Sequence, residues 1–217
     1  MLLFSVNDAM SNFTEEYIVK RLNRNQDLPC DESIYPSALL PDAPRPAAVL
    51  VPLVRIKTVP NDIPGWRWHV LYTRRTSSLA EHSGQVAFPG GRSDPDDPSP
   101  EATVLREAYE EIGLNPEDVR ILGRLEHLLT ITNYCITPVV GVMPWPYPIS
   151  LETDEVSRVF TIPLEWLADT QNHEVRHRPL PPPFSGVPVI YFKAYEGELL
   201  WGVSASITVS LLETLLK

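Results

Sequence analysis

Cysteine is scarce in this chain. Its 217 residues include two, Cys30 and Cys135, too few for a disulfide framework and without the spacing of a zinc site. A reducing cytoplasm is the simplest compartment for such a sequence. Basic charge is short as well: 18 Lys and Arg stand against 28 Asp and Glu, a formal charge of −10. That balance argues against nonspecific binding to DNA, RNA or anionic membranes, which relies on basic surface. The apolar runs are far below membrane-spanning length. Residues 1–25 carry Asp8, Glu15 and Glu16, with helical spacing at Phe13, Tyr17, Ile18 and Leu22, which is not the pattern of a cleaved signal. There is no internal repeat and no basic recognition helix, so neither a nucleic-acid nor a membrane partner is expected, while a homodimer stays open.

What remains is ordinary globular sequence, 43% hydrophobic and 21% charged, enough for one sizeable core. Proline sets the punctuation, with 23 in the chain. The run Pro41-Asp42-Ala43-Pro44-Arg45-Pro46 separates a helical arm and Pro-rich linker, 1–44, from a domain at 45–217. Ala47 to Val54 reads as a buried strand and Trp66 to Thr73 as another, after a turn at 61–65. Further strands are expected at Ile121 to His127, Ile136 to Met143, Glu174 to Arg178, Pro188 to Tyr195 and Leu199 to Trp201. A short helix is expected near Leu164 to Ala168 and a terminal one from about Ser204. Strands interrupted by one central helix and closed by another suit an α/β fold with a mixed sheet covered on both faces.

That central helix carries the chemistry. Ser99 can cap it, Pro100 suits its first turn, and Gly113 can end it, closely followed by Pro116, so it is expected to run from about Pro100 to Ile112. Ala102, Leu105, Ala108, Tyr109 and Ile112 supply an apolar stripe. On such a helix Glu107, Glu110 and Glu111 are neighbours, with Cβ atoms about 5–6 Å apart. Three carboxylates that close repel one another unless cations intervene, and hard divalent ions take partial carboxylate shells completed by water and substrate phosphates. The alternative is a solvated acidic face. A plain surface helix would place Lys or Arg four residues after each Glu, but Glu111, Leu114 and Asn115 stand there. Arg106, the one cation in the motif, is better suited to orienting a carboxylate than to neutralising three. Upstream, Phe88-Pro89-Gly90-Gly91 forms a glycine turn that lets backbone approach a phosphate, and the Gly91 carbonyl offers a further metal ligand. Arg74, Arg75 and Arg92 flank the turn and are candidates for meeting an anionic substrate or for ordinary surface positions.

With Gly91 and the run Arg106 to Leu114, the chain resembles the Nudix hydrolases, whose signature is Gly, five residues, Glu, seven residues, then Arg-Glu-apolar-x-Glu-Glu-x-Gly-apolar. It departs in the middle, where Asp94-Pro95-Asp96-Asp97-Pro98 replaces the first Glu and Gly91 stands one residue too far from Arg106. That spacing, with Phe88-Pro89-Gly90-Gly91 and Thr103-Val104-Leu105-Arg106-Glu107, resembles the coenzyme A pyrophosphatase branch. So do residues 71–75, 79–88, 137–141 and 154–156. Ala80 stands where the branch has Arg or Gln, and the chain ends Leu215-Leu216-Lys217 rather than in the peroxisomal Ser-Lys-Leu of some relatives.

The resemblance implies an α/β/α sandwich with a mixed sheet and Mg²⁺ or Mn²⁺ held by Glu107, Glu110, Glu111 and Gly91. The substrate implied is a small-molecule nucleoside diphosphate derivative. Coenzyme A, or an acylated or oxidised form, would give 3′,5′-ADP and 4′-phosphopantetheine or its derivative. Catalytic roles fall to Arg106, Glu107, Glu110 and Glu111, and substrate contacts to Arg74, Arg75, His82, Gly90, Gly91 and Arg92. For a general base, Glu155 is preferred within the later acidic group Glu152, Asp154 and Glu155, the alternative being a solvent-facing turn. His82 carries protons near neutral pH or makes a fixed hydrogen bond beside the glycine turn. The other four histidines lack a shared-metal spacing. Rival functions are a pyrophosphatase for ADP-ribose, a nucleotide sugar or a dinucleoside polyphosphate, and a noncatalytic ligand-binding module.

Overall fold

The computed structural model describes residues 10, 13–23, 35, 39–40, 43–57, 65–77, 84–180, 182–184 and 186–216. The central strand β1 (Arg45–Lys57) is thirteen residues long and apolar without interruption from Ala47 to Val54, because both its faces are covered there. On one side β1 runs parallel to β7 (Tyr134–Val142), pairing Ala48 with Thr137 and Leu50 with Val139. On the other side β1 pairs antiparallel with β2 (Trp66–Arg75) through Leu53 and Val70, and with β4 (Gly90–Arg92) through Ala48 and Gly91. The strands β3 (Val86–Ala87) and β8 (Val156–Pro163) both pair with β2, while β5 (Arg120–Arg124) and β6 (Leu128–Leu129) pair with β7. The result is a mixed eight-stranded sheet. A separate hairpin is made by β9 (His173–Arg178) and β10 (Val187–Phe192).

Among the described residues four helices cover the sheet: α1 (Glu15–Leu22), α2 (Pro100–Ile112), α3 (Leu164–Ala168) and α4 (Gly202–Leu216). Strand alternation divides the apolar side chains into two cores. Leu50, Val54, Leu71 and Val139 face one way, onto Val104, Ala108 and Ile112 of α2. Val51, Leu53, Val70, Tyr72 and Val140 face the other way, onto Ile18 and Leu22 of α1 and Ile207 and Leu211 of α4. Each fully buried aliphatic side chain contributes roughly 1.5–3 kcal/mol, so these two faces hold the α/β/α layers together. The segment ahead of the proline linker is bound in as well: Tyr17 donates its hydroxyl to the Leu215 carbonyl at 2.7 Å and Arg21 Nε donates to Thr214 at 2.7 Å.

Several expectations change on contact with the fold. Ala108 and Ile112 of the expected stripe on α2 are buried, but Tyr109 is 59% exposed, and Val104 and Glu111 take the inward face. The sheet, not the strongest apolar periodicity, selects which side of the helix is covered. The segment 121–127 is not one strand, because β5 stops at Arg124 after a register shift at Gly123. Leu199 to Trp201 contributes a single bridge, Tyr191 to Trp201. Gly90 to Arg92 is strand rather than open turn, fixed to the edge of β1. Cys135 is disulfide-bonded, whereas the cysteine content suggested reduced thiols, and Cys30 lies outside the described residues. Among the described residues no helix is long and apolar enough to cross a membrane.

Candidate functional site

The site is built where α2 crosses the end of β4. Ser99 accepts a hydrogen bond from Ala102 N at 3.3 Å to start the helix, and Gly113 ends it in the left-handed conformation at φ 67°. Between these caps Glu107 and Glu111 are held toward Gly90 and Gly91. A Cβ on Gly91 would stand 2.6 Å from the Glu107 carboxyl carbon, and one on Gly90 would stand 2.4 Å from the Ala48 carbonyl oxygen. Glycine at 90 is therefore required by the close approach of backbone, and glycine at 91 leaves room for the Glu107 carboxylate. The Gly90 N–H donates to Glu111 Oε2 at 3.3 Å.

One arginine organises the carboxylates. Arg106 donates from Nε and Nη2 to the two oxygens of Asp97 at 3.2 and 2.9 Å, and from Nη2 to the Arg92 carbonyl at 3.1 Å. Its Nη1 reaches Glu107 Oε1 at 2.9 Å and Glu110 Oε2 at 3.3 Å. This two-pronged grip holds Asp97 well below the usual carboxylate range, chiefly through the Arg106 hydrogen bonds, and raises Arg106 in return. Asp97 is the residue that sequence reading missed. It was folded into a departing acidic segment, yet it follows Gly91 by five intervening residues, which is the signature's own spacing for its first Glu. The extra residue lies after it.

The charge of the cluster is left unbalanced. Glu111 is 4% exposed, and burial pushes its carboxyl up to about 8, with the charges of Glu107 and Glu155 adding to the rise. The Gly90 N–H and the Arg75 charge oppose it. Glu107 is likewise raised by burial, against the pull of Arg106, with Glu110 and Glu155 adding to the rise. Glu155, in the turn before β8, thus acts electrostatically on both carboxyls. The Arg75 charge acts on Glu111, and its buried Nε has no hydrogen-bond partner among the described residues.

Other expected residues stand elsewhere. Arg74 alternates to the opposite face of β2 and pairs with Glu198 at 3.1 Å. Glu110 is largely exposed beside Arg106. Arg92 has an exposed side chain, and its carbonyl serves Arg106. His82 and Ala80 lie outside the described residues.

Among the described residues no three His, Cys, Asp or Glu side chains are placed to hold a metal ion together. The donor set nonetheless fits a divalent cation. Two carboxyls sit at low exposure among like charges, Glu107 bonded to Arg106 and Glu111 to the Gly90 N–H, and a positive ion would lower that electrostatic cost while leaving positions open for phosphate oxygens and water.

A NUDIX domain model matches residues 46–182. The chain belongs to the Nudix hydrolase family. It is 35% identical over 204 residues to proteins of Yersinia pestis and Yersinia pseudotuberculosis, each described as "Uncharacterized Nudix hydrolase NudL", with 89% of this chain and 92% of theirs covered. Among solved structures, the Nudix hydrolase RenU of M. smegmatis aligns with 58% of this chain and 75% of its own at 21% identity, TM-score 0.46. A MutT/nudix family protein from Enterococcus faecalis aligns with 97% of this chain and 74% of its own at 16% identity, TM-score 0.48. As a Nudix hydrolase the chain acts on pyrophosphate-containing substrates, in a family that generally uses divalent metals.

Proposed function

We propose that this Nudix hydrolase cleaves the diphosphate of coenzyme A, or of an acylated or oxidised form, to 3′,5′-ADP and 4′-phosphopantetheine or its derivative, with Mg²⁺ or Mn²⁺. The observation that carries the hydrolytic reading is the convergence of Glu107, Glu111 and Glu155 with Arg75 beside Gly90 and Gly91. Support for the substrate comes from the branch-like segments 71–75 and 84–91. Both border that cluster, through Arg75 and through the Gly90 N–H.

Glu107 and Glu111, with Glu110 and the Gly91 carbonyl at the margin, would hold the metal. When bound, it neutralises diphosphate oxygens and makes water more acidic. Asp97 fixes Arg106, and Arg106 fixes Glu107, so the ligand geometry is set before substrate arrives. Glu155 takes the proton of the attacking water as a P–O bond to the bridging oxygen breaks. Arg75, whose charge acts on Glu111 and whose buried Nε has no hydrogen-bond partner among the described residues, stabilises charge on the phosphoryl oxygens, and Arg92 flanks the same strand end.

The retained carboxylates speak against a noncatalytic module. ADP-ribose, a nucleotide sugar or a dinucleoside polyphosphate is the alternative substrate, favoured by Ala80. The decisive assay compares 3′,5′-ADP release from coenzyme A with AMP release from ADP-ribose in Mg²⁺ and in Mn²⁺. Higher kcat/KM for coenzyme A is expected, and a preference for ADP-ribose would transfer the assignment to that substrate.

A further inference from the structure

The turn that carries Glu155 has no apolar anchor of its own. From Glu152 to Glu155 every residue is exposed, and the first buried side chain after it is Val156. Hydrogen bonds must therefore set the position of Glu155. On one side Glu152 N donates to the Glu111 carbonyl at 2.9 Å, which ties the turn to the end of α2, and Glu155 N closes it by donating to the Glu152 carbonyl at 3.0 Å. On the other side stands Thr76, just past the end of β2 and 8% exposed. Its N–H donates to the Glu155 carbonyl at 2.9 Å, and its hydroxyl donates to the Asp154 carbonyl at 2.8 Å. Its own carbonyl accepts from Gly84 N at 3.2 Å, at the start of the glycine segment.

The strand beneath is adjusted to make this junction. Arg74 pairs with Arg158 but Arg75 pairs with Val156, so Ser157 is an extra residue in β8. The Ser157 hydroxyl donates to the Arg74 carbonyl at 3.1 Å. A bulge of this kind bends its own strand, here β8 where it leaves the Glu155 turn and meets Arg75. Residue 76 thereby joins three parts of the site: the Glu155 turn, the glycine segment and, through its neighbour Arg75, the buried carboxylates.

We infer that Thr76 is a positioning residue whose hydroxyl and N–H hold Glu155 in register with the carboxylates of α2. The inference rests on the proposed role of Glu155 as proton acceptor. A valine in this place keeps the shape and the N–H but removes the hydroxyl, freeing the Asp154 carbonyl. A serine keeps the hydroxyl.

The test is a set of four proteins assayed with the better of coenzyme A and ADP-ribose at saturating Mg²⁺: Thr76→Val, Thr76→Ser, Glu155→Gln and Thr76→Val with Glu155→Gln. Thr76→Val is expected to lower kcat about 10-fold with KM within about twofold, since a misplacement of about 1 Å costs up to about 100-fold. Thr76→Ser is expected to hold kcat within about twofold of the parent. In the Glu155→Gln background, Thr76→Val should add less than about twofold, because the group it positions has already been removed. Thermal melts accompany each variant, and Thr76→Ala supplies the same comparison where the valine variant does not fold. Full turnover in Glu155→Gln would overturn the role of Glu155 and this inference together. A slow Glu155→Gln with a fully active Thr76→Val, or with equal losses in both backgrounds, would overturn this inference alone.

Discussion

Glu111 and Glu198 are buried to nearly the same degree, at 4% and 3% exposure, on opposite faces of one sheet. Glu198 receives Nη1 of Arg74 on one oxygen and Nη1 of Arg158 on the other, both at 3.1 Å. Those two arginines are cross-strand partners on β2 and β8 and remain nearly half exposed, so the triad is charge-satisfied and in touch with solvent. Glu111 receives one backbone N–H at 3.3 Å and lies among other carboxylates. The same side chain at the same depth is thus a fastening in one place and an unmet demand for positive charge in the other. Burial alone does not mark a functional glutamate, but burial without compensation does.

The comparison breaks most sharply in turnover. Glu111→Gln is expected to fold normally while kcat falls by roughly 1000-fold, a loss typical of removing one electrostatic element from a reacting site. Glu198→Gln should leave kcat of the folded protein unchanged. Steady-state assays with matched circular-dichroism spectra make the contrast, and parental turnover in Glu111→Gln would remove that carboxylate from the mechanism.

Next in size is the effect of pH on the metal-free protein. Because the Glu111 carboxyl lies at about 8 folded against 4.5 for the ordinary group, the folded chain binds the extra proton between those values. Stability from this residue is therefore fully present below the lower value and is lost as pH rises toward 8, by on the order of 2 kcal/mol from pH 5 to pH 7. Saturating Mg²⁺ should flatten that slope, since bound cation favours the carboxylate. Melts of the parent and of Glu111→Gln check it, the variant losing the slope. A parent whose metal-free stability rises over this range would contradict the assignment.

Smallest is the cost at the satisfied partner. Glu198→Ala should lower stability by about 1.5 kcal/mol, near the bottom of the range for charged hydrogen bonds, because water can solvate the two half-exposed arginines left behind. Urea denaturation measures it, and a loss as large as that of an uncompensated buried charge, about 3–5 kcal/mol, would show that Arg74 and Arg158 are less solvated than their exposure implies.

Much of the scaffold could be read in advance wherever a local signal had a local cause. Ser99, Pro100 and Gly113 bounded α2 because caps act on the nearest backbone groups, and the apolar run of β1 announced a strand covered on both sides. What failed depended on distant partners. Tyr109 belonged to a valid helical stripe, but the sheet lies against Val104, Ala108 and Ile112 instead. Arg74 and Arg75 looked equivalent in sequence, yet strand alternation sends one to Glu198 and the other toward Glu111. Short strands such as β3 and β4 carry too few residues for any periodicity, and Glu198 had no local mark at all. Within the site, the carboxylates on α2 were legible because helical spacing brings them together. Asp97 was not, because its grip on Arg106 spans a loop rather than a turn of helix.

The contact between Gly91 and Glu107 also sets a rule for the chain's own variation. A methyl group at 91 would fall on the volume already filled by the Glu107 oxygens, 2.6 to 2.7 Å away. Alanine at 91 would displace the Glu107 carboxylate, the movable end of its side chain, so the expected loss is of activity rather than of fold. In a saturation library sorted for activity, this column should come out as bare as that of the glutamate it touches.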